Sequence, residues 1–179
     1  MAALLVYPGT KGAPVALVDV LHEHHEQVRA YVDSEIKIRR ENRAPLIDET
    51  SGNAIEPLGE YEPDDRHAGI VITMAIVSDA QRREWDVRHS QAVARYREAT
   101  KALDVMGQLK ADEEIWKIMG EVVGTVVVEI KGVDGLSGSV ADAADALRAA
   151  GLLTGLYEAA RYFTGLPRPK ALRCGQPQP

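Results

Sequence analysis

Apolar positions along residues 15–33, "VALVDVLHEHHEQVRAYVD", recur at steps of three and four through Leu17, Leu21, His24 or His25, Val28 and Tyr31 or Val32. That period places them on one face of an amphipathic helix, and Pro14 just ahead suits its start. After Ser34 the pattern changes. "EIKIRR" alternates, which predicts either a short strand or a frayed helix end within residues 34–50. Residues 70–77, "IVITMAIV", are apolar on both parities and rich in β-branched side chains, the pattern of a strand covered on both faces. Ser78 followed by Gln81 predicts a capping box, with Asp79 suited to the positive end of the helix that begins there.

That helix is predicted over residues 79–106 and is the longest in the chain. Trp85, His89, Ala92, Tyr96, Ala99, Leu103 and Met106 follow alternating steps of four and three, a heptad-like seam with Arg82, Glu84, Arg88, Arg95, Arg97, Glu98 and Lys101 lying off it. Such a seam packs on another helix, either within the chain or on a partner. His89 reads as a packed or rim histidine. Gly107 and the polar "QLKADEE" predict a turn with Asp112 as a cap. A helix over 112–130 follows, carrying Ile115, Ile118 or Met119, Val122, Val126 and Ile130 on one face. Its clustered valines leave a strand at 122–130 as the competing reading. Ser139 caps a short helix that Gly151 ends, and "LLTGLYEAARYFTGL" supplies a last helix with Leu152 or Leu153, Leu156, Ala160 and Phe163 inward. These elements predict an α+β fold, mainly α: a small bundle of four to five helices with one or a few short strands. Three segments result: 1–66 with the first helix and a loop, 67–166 as the strand and helical core, and 167–179 as a tail.

The loop at 48–65 carries seven acidic side chains and no basic one, together with Gly52, Pro57, Gly59 and Pro63. That composition predicts an exposed connection, and its carboxylates lack the spacing of a calcium-binding EF-hand. The tail has four prolines in thirteen residues and reads as extended. With 179 residues and 45% hydrophobic content the chain sustains a real core, but only 5% is aromatic, so Val, Leu, Ile and Ala must fill it. A net charge of −6 disfavours nucleic acid as a partner. The longest aliphatic run, Val122 to Ile130, is about half the roughly 20 residues a membrane span needs. "MAALLVYPGTKG" has no basic leader and breaks at Pro8-Gly9, which makes a poor signal peptide.

Candidate chemistry centres on "DVLHEHHEQV". On a helix His22 and His25 are one turn apart, as are His22 and Glu26, so a two-point metal contact is sterically open. The zincin pattern needs histidine at position 26, which is Glu, and no third ligand or orienting shell is visible. A solvated helix edge is the preferred reading, with no metal or cofactor. Cys174, the sole cysteine, excludes intrachain disulfides and thiolate zinc clusters and lies in the proline-rich tail without a base nearby. "GLSGS" at 135–139 lacks the last glycine of a nucleophile elbow, and neither a phosphate-binding loop nor a dinucleotide fingerprint occurs. No catalytic residue is assigned.

The second half resembles the tail assembly chaperones of long-tailed bacteriophages. The likeness covers residues 68–175 and rests on four features: "IVITMAIVSDAQRREW", a strand running into a capped charged helix; "VVGTVVVEIKGVDGL", an aliphatic segment closing on a Gly-Asp-Gly-type turn; "AADALRAAGLLTGLYEAARYFTGL"; and the short basic end "PRPKALRCGQ". The resemblance implies a non-enzymatic protein of the host cytoplasm. It would bind helical segments of the tape measure protein and keep them soluble during tail assembly, with self-association as a homo-oligomer a further expectation. Trp85, Tyr96 and Met106 on the seam are the expected partner-binding residues, unless the seam is core. Two other classes stand beside this one: a structural virion or oligomeric assembly component, and a small metal-dependent enzyme built on His22, His25 and Glu26.

Overall fold

The structure, a computed structural model, describes residues 11–48, 52–134, 136 and 139–164. The expected tail at 167–179, with Cys174, lies outside the described residues. The fold is α+β and mainly α. Five helices, α1 (Leu17–Glu41), α2 (Asp79–Lys101), α3 (Val105–Val126), α4 (Ala144–Ala149) and α5 (Leu153–Thr164), surround a three-stranded sheet of β1 (Val15–Ala16), β2 (Val71–Met74) and β3 (Val127–Lys131). Among the described residues no helix is long and apolar enough to cross a membrane.

β2 is the central strand. It pairs antiparallel with β1, Val15 opposite Ile72, and antiparallel with β3, Ile72 opposite Ile130, with a register shift between Thr73 and Met74. Two residues after Pro14 the chain passes from β1 into α1 with no capping side chain, and the Leu17 N–H is satisfied across the sheet by the Ile70 carbonyl at 2.9 Å. The alternation at 34–40 is not a strand: α1 continues to Glu41, because Val32, Ile36 and Arg39 extend its buried stripe at steps of four and three. Arg39 is buried because it works as a lock on the returning chain. Its guanidinium donates to Glu35 Oε1 at 2.7 Å, to the Pro45 carbonyl at 3.0 Å and to the Ile47 carbonyl at 3.2 Å.

The capping box forms as expected, with Ser78 Oγ accepting from the Gln81 N–H and the Gln81 side chain reaching back. α2 nevertheless stops at Lys101, short of Met106. Leu103 adopts a left-handed φ of 56°, unusual for a residue with a Cβ, and Asp104 caps the next helix by accepting from the Gly107 N–H at 3.0 Å. The expected turn at Gly107 is therefore the first turn of α3, and Asp112 lies inside that helix. Both readings of the valine run hold in part. α3 ends at Val126, and Val127 is already extended in β3 without an intervening loop. A free ladder edge on β2 recruits these β-branched residues, and the Val126 carbonyl itself accepts from Ala75 N–H at 2.7 Å.

α3 is the hub. Ile118, Val122 and Val126 are fully buried, joined by Leu17 of α1, Ile72 of β2, Val127 of β3, Leu147 of α4 and Leu153 and Leu156 of α5. Gly120 and Gly124 let the start of α4 and the segment before it lie directly on α3: a Cβ at Gly124 would be 2.6 Å from Ala141 Cα, and one at Gly120 3.0 Å from Ala144 Cβ. At the far end of α5, Phe163 is exposed rather than inward, because the helix has reached the rim of the core there. Ser139 Oγ accepts from the Asp142 N–H at 3.2 Å and opens a turn, with α4 beginning five residues later.

Gly124→Ala should therefore cost about 1–3 kcal/mol, since backbone rather than a flexible side chain blocks the added methyl. Gly59→Ala, with nothing within 4 Å of its would-be Cβ, should stay within about 0.5 kcal/mol. Urea-unfolding midpoints of the two variants check the contrast, and equal midpoints would contradict the packing described.

Candidate functional site

Two places gather side chains with unspent chemistry. The first is the histidine face of α1, and the acidic loop decides its role. Residues 52–67 do not simply trail through solvent. They form a strap laid along α1, with Tyr61 packed against the core and a 3₁₀ turn, Asp65–His67, at the end. His22 stacks on the Tyr61 ring at 5.5 Å and His25 tilts against it at 5.6 Å. His25 Nε2 also lies 2.9 Å from the Gly59 carbonyl, so that nitrogen carries the proton. His24 faces the other way, with its ring 5.6 Å from Tyr162 and Nδ1 3.8 Å from Glu158 Oε2. His22 is exposed, as expected of a solvated edge, while His24 and His25 are half-buried and fasten α1 to α5 and to the strap. Glu26 pairs with Arg29 at 3.5 Å. Among the described residues no three His, Cys, Asp or Glu groups are placed to hold a metal ion.

Between α1, the strap and α5 lies a cleft of about 550 Å³, with Leu21 and Val28 on one wall and Tyr61 on another. His67 lies in it and is only 8% exposed, yet neither ring nitrogen has a hydrogen-bond partner. An unmade hydrogen bond at a buried group costs on the order of 1–3 kcal/mol. Burial pushes the His67 imidazole below the ordinary histidine range, the Asp64 charge opposing and the Arg66 charge adding to this. Hydrogen bonds from Arg66 hold the Asp64 carboxyl well below the usual carboxylate range, and the two residues close on each other at the cleft mouth. Room for Arg66 and His67 comes from glycines in the turn before α5 and in its first turn. Any Cβ at Gly151 would strike the Arg66 guanidinium, and one at Gly155 would lie 2.5 Å from His67 Nε2.

The second place is the α2–α3 hairpin. Its shaft is zipped by polar contacts: Trp85 Nε1 donates to Glu121 Oε1 at 3.1 Å, Arg88 grips both Glu121 oxygens at 3.0 and 2.9 Å, and Arg95 reaches Glu114 at 2.6 Å. The hydrogen bonds from Arg88, helped by the one from Trp85 and opposed by burial, hold the Glu121 carboxyl below its usual value. Trp85 is buried at 4% exposure and Ala92 completely, so the first half of the predicted seam is core. His89, midway, is packed near Tyr157 at 5.6 Å. The second half emerges. Tyr96 is 38% exposed, and at the apex Leu103 is 84%, Val105 65%, Met106 62% and Leu109 56% exposed.

Of the three residues expected to bind a partner, the structure thus separates Trp85 from Tyr96 and Met106. Sequence reading missed His67 and Tyr61, whose significance depends on contacts across the fold. A local signal did exist for the first: Gly151 and Gly155 bracket the start of an apolar helix, a pattern that marks close approach. No family model matches the chain, and comparison with curated proteins and with solved structures gives no significant match.

His67 and His89, the latter shifted down by burial and by Arg161 against Asp86, both hold fewer protons folded than unfolded. Stability should be complete above the ordinary histidine value of about 6.5 and fall as pH drops below it toward the lowered folded values. Urea midpoints between neutral and mildly acid pH check this, and His67→Phe should flatten part of the slope. Stability that rises on acidification would contradict the burial of both rings.

Proposed function

We propose that this protein is a non-enzymatic assembly factor of the phage tail chaperone kind, which binds amphipathic helical segments of a tape measure protein. One observation carries the reading: the α2–α3 hairpin ends in an exposed apolar apex of Leu103, Val105, Met106 and Leu109, with Tyr96 further down the shaft. Large apolar side chains left uncovered together at a helical tip are the material of helix-recognition surfaces, and methionine adapts to varied partners. The charged shaft supports the reading in a second way. Its ion pairs keep α2 and α3 joined while the apex is bare, so the surface does not depend on a bound partner to exist.

Between the two helices Trp85 and Ala92 are buried, so the binding surface in this proposal is the apex with the exposed Tyr96 and not the full length of the seam. A permanent structural component would use the same residues against copies of its own chain. Solution mass separates the two readings.

In a titration with helical tape-measure peptides, Tyr96→Ala and Met106→Ser should each weaken binding by about 1–2 kcal/mol while stability stays within about 0.5 kcal/mol. Trp85→Ala should instead cost about 3–5 kcal/mol of stability. A chain that ignores such peptides and forms stable oligomers dissolved by Met106→Ser would replace the chaperone reading with the structural one.

A further inference from the structure

We infer that residues 61–67 of the strap form an acid-released latch: a proton taken up by His67 frees this segment from α1 and α5 while the core around α3 stays folded. The hairpin apex plays no part in it.

His67 is the trigger. It is only 8% exposed, and both ring nitrogens are shut off from solvent without a hydrogen-bond partner. α5 clamps the ring, since the Cβ that Gly155 lacks would lie 2.5 Å from Nε2 and 2.7 Å from Cε1. The ring therefore has little room to turn toward a partner in place. A neutral imidazole tolerates this at the cost of one N–H and one lone pair left unused. An imidazolium does not, because both nitrogens are then donors and a buried charge without partner or water is far more costly. Uptake of the proton is thus coupled to release of the ring.

The charged groups around the cleft do not relieve that coupling. On the strap, Glu62 is exposed and Asp64 is engaged by three hydrogen bonds from the Arg66 side chain. Burial lowers the proton affinity of His67 by more than the Asp64 charge restores, and the Arg66 charge adds to the burial. On α5, Glu158 has His24 Nδ1 at 3.8 Å. The α1 histidines respond to acid in the closing sense. A charged His24 is drawn more strongly to Glu158, a charged His25 still donates from Nε2 to the Gly59 carbonyl, and a charged His22 gains attraction to the Tyr61 ring on which it stacks. Of the four imidazoles, His67 is the one whose charging opposes closure.

The segment is also built to leave without the core. The backbone bonds of its 3₁₀ turn close on the turn itself, from the His67 N–H to the Asp64 carbonyl at 2.9 Å and from the Ala68 N–H to the Asp65 carbonyl at 3.1 Å. Gly69 joins the turn to β2 at a φ of 74°, with open space where its Cβ would be, and is a ready hinge. Among the described residues, the apolar cluster that holds Ile118, Val122 and Val126 takes from the strap only Tyr61, at its margin. Release lifts Tyr61 from His22 and His25 and widens the cleft over Leu21 and Val28, so that the chain presents at mildly acid pH a surface it covers at neutral pH.

The test is hydrogen exchange of the full chain, followed amide by amide by NMR between neutral pH and about pH 5, with the pH dependence of the chemical exchange step divided out. A three-residue turn has no protection of its own once detached. The His67 and Ala68 amides therefore report the released fraction, and the Val122 and Val123 amides of α3 report global unfolding. At neutral pH the turn amides should open at least about tenfold more often than those of α3. Below the ordinary histidine value of about 6.5 the released fraction should rise by up to about tenfold per pH unit, toward the lowered value of the closed form. His67→Phe and His67→Leu should each remove that rise, and Gly155→Ala, which drives a methyl into the ring, should raise release at neutral pH. Turn amides that open no more often than those of α3, a released fraction that does not change with pH, or a rise that survives in both His67 variants would each overturn the latch.

Discussion

The apolar face of α3 is the constraint on which the rest of the structure depends. Ile118, Val122 and Val126 are shut off from solvent, and Leu17 of α1, Ile72 of β2, Leu147 of α4 and Leu156 of α5 join them in one buried cluster that continues at Val127. Because the chain is poor in aromatics, Trp85 and Tyr157 are the large rings its core cluster buries among the described residues, and close approach of backbones fills much of the rest. Gly120 and Gly124 provide it on the α4 side, and Gly155 provides it where α5 meets His67. A core of this kind depends on many short contacts rather than a few large anchors, which makes it sensitive to added volume.

Polarity is distributed with a similar logic. α2 buries only Trp85 and Ala92 along its length, so it is held to α3 largely by the Trp85–Glu121, Arg88–Glu121 and Arg95–Glu114 contacts. Exposed ion pairs contribute little individually, but they fix register. In consequence the apolar material at Leu103, Val105, Met106 and Leu109 is not needed for the fold, and it is this surplus that supports a partner-binding role. The histidine face shows the converse. Side chains that look like ligands are consumed in tying the strap and α5 to α1, and His67, at the other end of that strap, is the imidazole whose two nitrogens are both buried without a hydrogen-bond partner.

Local signals carried most of the fold. The Ser78–Gln81 capping box, the α1 stripe, the β2 run and the glycine that ends α4 are all readable because backbone chemistry within a few residues decides them. Misreadings arose where tertiary contacts decide. Arg39 belongs to a buried stripe only because the carbonyls of Pro45 and Ile47 return to it, and the helix-to-strand change at Val126–Val127 is dictated by β2. The heptad seam was legible as a pattern, yet period alone does not say where along α2 burial stops. The cleft was the least legible part, since Gly155 on α5 is far in sequence from Tyr61 and His67 and is brought to them only by the fold.

The direct passage from α3 into β3 has a mechanical consequence. With 22 residues in α3, the apex stands roughly 33 Å from the sheet, and at the base there is no linker in which a displacement could be absorbed. A load applied at Met106 reaches Val127 as torque about the β2–β3 ladder. From there it passes through β2 to the Leu17–Ile70 bond that anchors the start of α1. The hairpin is a lever held by the packing of α4 and α5 on α3 and seated at its base in a ladder of two strands of four and five residues.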